Sequence, residues 1–365
     1  MTSSGTSSGL PAVSPLAPGI LRAAGLGVRC PVVSVTRLAG GSKKGVYRLA
    51  CADGFSAVLY VWSAAEDYWV TSGGVGSSDE GAGVFGHASG LGLFSACHRR
   101  LAEAGVRVPR VYLEDGSRSL YPADIALVED VRGGTLEDLL ATDVAASLPV
   151  LERLGEMLRA MWGHRAARTG KVAEVDEVGG VARGLPGASC LPGASCLPGV
   201  LGAPSEVGAS SEEIVLERAL RHLDRSAYRV AAVASVRPQL EETLRALAAS
   251  VRPRASYALI HGELGPDHVS IDDAGQPVVV DIEGAMYFDL EWEHAFLRLR
   301  FGRHYELLRV SDLDEERMRL CALALDLSLI EGPLRLLDGG DYPERELMLA
   351  IAESAVGRVL GAAGR

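Results

Sequence analysis

Lysine is almost absent from this chain. Among 36 basic residues in 365, only Lys43, Lys44 and Lys171 are lysines. Arginine carries the rest, and its planar fork differs physically from a compact ammonium. Two of the three lysines stand side by side in one glycine-rich loop, so the scarcity elsewhere singles that loop out. Long apolar runs are missing too, and without about 18 consecutive apolar residues no membrane span is expected. The six cysteines are spread out and none forms a close CxxC pair. A long chain without a cysteine framework fits a reducing cytoplasm. The start, MTSSGTSSGLPAVSPLAPG, lacks the basic-then-apolar order of a secretory signal. Its Ser, Gly and Pro content leads us to expect a disordered tail over residues 1–19. The formal net charge of −11 argues against a nucleic-acid partner, whose binding rests on basic patches.

With 48% hydrophobic residues, the chain can build one large domain or two lobes. Val32–Leu38, the loop Ala39-Gly40-Gly41-Ser42-Lys43-Lys44-Gly45, Val46–Leu49, Ala52-Asp53-Gly54 and Ser56–Trp62 read as strand, turn, strand, turn, strand. Glu66–Gly90 is rich in Gly and Ser and reads as a long loop, either a lid or an insertion. Leu91–Ala104 reads as a helix and Ile125–Asp130 as a strand. Helices follow at Thr135–Leu140 and at Ser147–His164, with Ser147 expected as cap and Met157 and Trp162 expected in the core. Residues 178–209 hold the direct repeat LPGASCLPGASCLPG, too dense in Gly and Pro for a regular element, and are expected to be a low-complexity insertion. Ser210 and Glu213 form a capping box before another helix, and Pro238–Ala248 is amphipathic through Leu240, Leu244 and Leu247. Residues after Phe288 read as helical.

Between these helices lies IHGELGPDHVSIDDAGQPVVVDIE. Val269–Ile271 and Pro277–Ile282 flank an Asp-Asp-Ala-Gly turn, a hairpin signal. His261, Glu263, Asp267 and His268 precede the hairpin, and Asp281 and Glu283 follow it. Carboxylates and imidazoles therefore gather at its two ends, where metal ligands and a base would meet.

The order His261-Gly262-Glu263, His268, hairpin, Asp281-x-Glu283 resembles the catalytic segment of the aminoglycoside phosphotransferase family, a branch of the protein-kinase-like fold. Gly105–Val111 (GVRVPRV) resembles that family's link into its next strand. The resemblance implies an α+β, two-lobed fold. Residues 20–130 would form a nucleotide-binding N-lobe with an antiparallel sheet plus helix. Residues 131–365 would form a mostly helical C-lobe carrying catalysis and the acceptor site. It further implies that Gly40, Gly41, Ser42, Lys43 and Lys44 cover nucleotide phosphates, and that the backbone around Glu129–Val131 meets the base. Glu263 stands in the place of the catalytic Asp, with His261 beside it as a structural hydrogen-bonder. Asp281 and Glu283 would bind metal. His268 replaces an Asn ligand, which points to Mn²⁺ beside Mg²⁺, and Asp267 offers an alternative oxygen ligand. Asp289 and Glu293 match the acids that open the family's next helix, and capping and dipole compensation are expected of them.

Two kinase features are replaced. Tyr60 stands where the third strand carries its phosphate-binding lysine, and Phe94 and Ala96 stand where the next helix carries the partner Glu. Lys44 offers a substitute, and the arrangement looks like that of the with-no-lysine kinases. The expected activity is transfer of the γ-phosphate of ATP or GTP, with Mg²⁺ or Mn²⁺, to a hydroxyl of a small molecule such as an aminoglycoside-like antibiotic or a sugar. Two alternatives stand beside it. One is a Ser/Thr kinase of a peptide natural-product precursor, and the other a pseudokinase that binds nucleotide or a partner without transfer. A need for a protein partner is left open.

Overall fold

The apolar run Ser56–Trp62 alternates its side chains between two faces, and both are buried. Ala57, Leu59 and Val61 enter one cluster, while Val58, Tyr60 and Trp62 enter another. Such a strand needs a cover on each side. In this computed structural model, which describes residues 13–26, 31–38, 41–71, 83–179, 210–339 and 342–363, the covers are two helices. The first part of the chain runs α1 (Val13–Ala23), β1 (Val32–Arg37), β2 (Gly45–Cys51), β3 (Ser56–Trp62), α2 (Tyr68–Thr71), α3 (Leu91–Glu103), β4 (Val111–Asp115) and β5 (Asp124–Glu129). The five strands form one antiparallel sheet in the order β1-β2-β3-β5-β4.

Helix α1 is a correction to the expected tail. Val13, Ala17, Ile20 and Leu21 recur at helical spacing and bury against the face of Leu49, Leu59 and Leu127. That apolar stripe outweighs the Ser, Gly and Pro content around it, so residues 13–19 belong to the lobe. Residues 1–12 lie outside the described residues. Helix α3 covers the opposite face through Phe94, Cys97 and Leu101.

The larger lobe runs α4 (Leu136–Thr142), α5 (Val144–Gly163), β6 (Arg165–Ala166), β7 (Gly170–Lys171), α6 (Val172–Gly179), α7 (Ser211–Arg229), α8 (Ala231–Ser250), β8 (Tyr257–Ile260), β9 (Val269–Ile271), β10 (Pro277–Val279), β11 (Met286–Phe288), α9 (Leu290–Phe301), α10 (Glu315–Leu336) and α11 (Arg345–Ala363). The hairpin β9–β10 forms as its turn chemistry requires. A small sheet of order β6-β8-β11-β7 underlies the site. The capping box opens α7: Ser210 accepts from the Glu213 amide, and Glu213 accepts from the Ser210 amide. Ser147, expected as a cap, is instead buried inside α5. The cap is Asp143, whose Oδ1 accepts from the Ala146 amide at 3.0 Å. Trp162 is buried and Met157 packs against the core as expected. Residues 180–209, most of the expected insertion, lie outside the described residues, whereas Val178 and Gly179 close α6.

The lobes meet at the strand that ends in Glu129. Asp130 accepts from Arg48 Nε at 2.9 Å and from Ser56 Oγ at 2.6 Å, which ties the crossing back to the sheet. The Gly133 amide donates to the Ile271 carbonyl at 2.9 Å. A Cβ at Gly133 would stand 2.4 Å from that oxygen, so only glycine permits this approach. The crossing is thereby pinned to the hairpin that carries the acidic motif. Among the described residues, no helix is long and apolar enough to cross a membrane.

Candidate active site

The His-Gly-Glu loop leaves β8 and turns beneath α9. Gly262 has φ +91°, and a Cβ there would press against the Met286 side chain at 3.0 Å. The loop is held by Glu293, whose carboxylate accepts from the His261 amide at 3.2 Å and the Gly262 amide at 2.8 Å. Trp292 Nε1 donates to the Gly262 carbonyl at 3.1 Å. Asp289 stands at the N-cap of α9 and Glu293 in its first turn, as dipole compensation requires, but neither caps the helix through its side chain. Asp289 makes no side-chain cap bond and pairs with the fully buried Arg317 at 2.5 Å. The reason is burial: both acids sit inside the lobe, where a carboxylate must find a specific donor.

Burial pushes the Glu293 carboxyl up to about 7, against the pull of its two backbone donors. In the unfolded chain it titrates near the ordinary value of 4.5. Between those values the folded protein holds a proton that the unfolded chain has released. Its contribution to stability therefore falls as pH rises from about 4.5 to about 7, and is level above that. We expect Glu293→Gln to flatten this part of the stability–pH profile relative to the unsubstituted protein. Urea unfolding between pH 4.5 and 7.5 reads it directly, and parallel profiles for the two proteins would refute the assignment.

His261 is buried and its imidazole is pushed down to about 4 by that burial. It is neutral at pH 7, with Nε2 3.1 Å from the Val280 carbonyl. It braces the strand before Asp281 through that contact. His268 stacks on it at 5.8 Å between ring centroids. The His268 Nδ1 contacts the Glu263 carbonyl at 3.0 Å, and its Nε2 lies 3.9 Å from Asp281 Oδ2. Asp267, the other expected ligand, is engaged by Arg300 at 2.7 Å.

Asp281 adopts a left-handed conformation, φ 56° and ψ 48°. That region is uncommon for a residue with a Cβ, and such strain gathers at functional sites. The turn brings Asp281 Oδ1 and Glu283 Oε1 to one atom, Lys44 Nζ, at 2.8 and 2.6 Å. Burial alone would lower the Lys44 pKa, but the two carboxylates outweigh it and hold the ammonium well above its usual value. Lys44 in turn holds Asp281 far below the carboxylate range. Glu263, which faces the cleft, is held below its ordinary value chiefly by the Lys43 charge. It is therefore ionised and ready to accept a hydrogen bond from a hydroxyl.

Among the described residues, no three His, Cys, Asp or Glu side chains form a self-sufficient metal cage. Asp281 and Glu283 do converge on one cation, the Lys44 ammonium. Mg²⁺ is commonly held by one or two carboxylates completed by substrate phosphates, and this donor set fits that use. Gly41, with φ +80°, Ser42 and Lys43 lie above the same cleft, whereas Gly40 lies outside the described residues. At the lobe crossing, the Glu129 amide is spent on the Arg110 carbonyl at 2.8 Å, and its side chain binds Arg107. Val131 follows, half-buried.

For three features singled out in the sequence, the partners were not legible there. Glu293 is one. The second is Lys171, whose Nζ donates to the His87 carbonyl at 3.0 Å. Its pKa is lowered chiefly by burial, and the charge of Lys43 adds to that, so two of the chain's three lysines feel one another. Their scarcity was the available signal. The third is the described part of the long Glu66–Gly90 segment, which crosses between lobes. Trp69 Nε1 donates to Ser42 Oγ at 2.8 Å, and the Trp69 ring meets Arg335 of α10 at 5.3 Å. Phe85 packs on Trp292 at 4.5 Å.

A family model described as phosphotransferase enzyme family matches residues 87–308. The fold is similar to the crystal structure of a thermostable mutant of aminoglycoside phosphotransferase APH(4)-Ia in apo form. That likeness has a TM-score of 0.58 and 17% identity over 96% of this chain and 97% of that one. A putative aminoglycoside phosphotransferase from Ralstonia eutropha is similar at TM-score 0.55 and 13% identity, over 96% and 98% of the two chains. LicA in complex with AMP is similar at 0.54 and 14%, over 97% and 99%. These identities carry the fold and nothing finer. No curated protein matches the chain.

Proposed function

The chain belongs to the phosphotransferase enzyme family, and from that membership we propose that it transfers the γ-phosphate of ATP or GTP to a hydroxyl of a small molecule. The observation that carries this reading is the meeting of Lys44 with Asp281 and Glu283, beside an ionised Glu263. Lys44 takes the phosphate-binding role that Tyr60 cannot fill. Gly41, Ser42 and Lys43 cover the phosphates. Asp281 and Glu283 would hold Mg²⁺ or Mn²⁺, with His268 Nε2 as the nitrogen donor nearest to them. When bound, the ion neutralises charge on the transferring group. Glu263 orients the acceptor hydroxyl and takes its proton. The backbone around Glu129–Val131 receives the base, apart from the Glu129 amide, which is bonded to Arg110. An aminoglycoside-like antibiotic or a sugar is the acceptor class this reading favours, and a cytoplasmic setting suits a nucleotide-dependent enzyme.

Calorimetric titration of ATP and GTP, with Mg²⁺, with Mn²⁺ and with EDTA, tests the reading. Metal-dependent binding followed by phosphate transfer to an acceptor panel is the expected result. No nucleotide binding under any condition would sink it. Lys44→Ala is expected to weaken nucleotide binding by about 10- to 100-fold, the worth of a charged hydrogen bond; unchanged affinity would remove Lys44 from the phosphate site. A second reading, nucleotide binding without transfer, draws on one observation: Lys44 and both carboxylates satisfy each other, and neither Tyr60 nor Phe94 restores the usual strand–helix ion pair. Tight binding with no turnover on any acceptor would favour it.

A further inference from the structure

Tyr60 occupies the strand position that would otherwise carry the cation of the site. The β2–β3 register sets Val46 opposite Tyr60, so Lys44, two residues before Val46, comes down over the Tyr60 ring. The Nζ lies 5.2 Å from the ring centroid, inside the range in which an aromatic face attracts a cation. Lys44 is buried, which strengthens that attraction because little water competes for the charge. The ring is itself fixed. Phe94 of α3 meets it edge-on at 5.6 Å and 83°, and Trp62 meets it at 6.0 Å and 71°. Burial raises the Tyr60 hydroxyl to about 12, so the group stays neutral beside the ammonium.

We infer that Tyr60 is a positioning residue: its ring face holds the Lys44 ammonium over the cleft, and its edge contact with Phe94 links that ammonium to helix α3. An aromatic chain, Lys44–Tyr60–Phe94, connects the glycine-rich loop to α3, where an ion pair between strand and helix would otherwise do so. The consequence for nucleotide rests on the reading of Lys44 as the phosphate-facing cation; the contact itself does not. An apolar residue of similar bulk at position 60 would fill the space but offer no electron-rich face.

The test uses the full chain in two arms. With ¹³Cε-lysine labelling, three lysines give three side-chain signals, and Lys44→Arg identifies its own. The ring face should displace the Lys44 signal upfield. Tyr60→Phe should keep that displacement and Tyr60→Leu should abolish it. A Lys44 signal unmoved by Tyr60→Leu overturns the inference without any ligand. In the second arm, Mg²⁺–ATP affinity should fall roughly tenfold in Tyr60→Leu and recover in Tyr60→Phe. In a Lys44→Ala background, Tyr60→Leu should add no further loss, because the two residues act through one contact. Equal losses in both backgrounds would mean that Tyr60 serves packing alone. If the unsubstituted protein binds no nucleotide, the phosphate role of Lys44 fails while the first arm still decides the Lys44–Tyr60 contact. Tyr60→Met replaces Tyr60→Leu in both arms if the leucine variant does not fold.

Discussion

Asp281→Asn is expected to lower phosphate transfer on the order of 1000-fold and to abolish the metal dependence of nucleotide binding. Asparagine isolates the charge from the conformation, since Asn, like Asp, tolerates the left-handed backbone at this position, whereas alanine would add strain. The substitution keeps an oxygen near the cleft but removes the negative charge that converges with Glu283 on one cation. A charge that organises the transferring group in a cleft is worth about 100- to 1000-fold, and loss of the ion it would hold adds to that. Steady-state turnover and calorimetry with Mg²⁺ and with EDTA read both effects. Retained metal-dependent binding in Asp281→Asn would move the metal role to other residues. Because Lys44 holds Asp281 well below the carboxylate range, the ion pair contributes stability above the ordinary Asp value and loses it only as pH falls through the depressed one. Activity should therefore not decline through protonation of Asp281 anywhere near neutral pH.

Glu263→Gln is expected to cost about 100- to 1000-fold in turnover, with nucleotide affinity retained. The amide is nearly the same shape but cannot take a proton. Glu263→Asp probes the departure from the family pattern. Restoring the shorter side chain draws the carboxylate back by one methylene, and a misplacement of around 1 Å costs on the order of 100-fold. A loop built around the longer side chain should lose activity with Asp. The structure supports that direction, because the loop is pinned from both sides, by Glu293 beneath its amides and by His268 on the Glu263 carbonyl. Turnover rising in Glu263→Asp would show instead that glutamate is the impaired form. Unchanged turnover in Glu263→Gln would take the proton-accepting role from this residue.

Much of the fold was legible because its signals are local. Turn residues and alternating apolar positions act within a few residues. They marked β2, β3, the hairpin β9–β10 and the capping box at Ser210 without reference to the rest of the chain. The His-Gly-Glu and Asp-x-Glu segments were legible for the same reason, since one hairpin joins them. Composition misled at the start of the chain. Ser, Gly and Pro suggested a tail, but the stripe Val13, Ala17, Ile20 and Leu21 found a sheet face to cover. Ser147 and Asp143 are both good caps by type, and only the helix start decided between them.

What the sequence by itself determined is the family segment, the alternation that buries both faces of β3, and the suspicion that falls on a lysine pair in a lysine-poor chain. Which group each charge meets was decided by the tertiary structure. Lys44 lies 237 residues from Asp281 and 239 from Glu283, and no pattern of short range specifies such a pairing. Glu293 looked like a helix-start acid and became the anchor of the His-Gly-Glu loop. Lys171, singled out only as the third lysine, turned out to donate to the His87 carbonyl. The physical reason is common to all three. A charge taken out of water must be matched by whatever the packing of the two lobes places within about 3 Å, and that placement is a property of the packed whole.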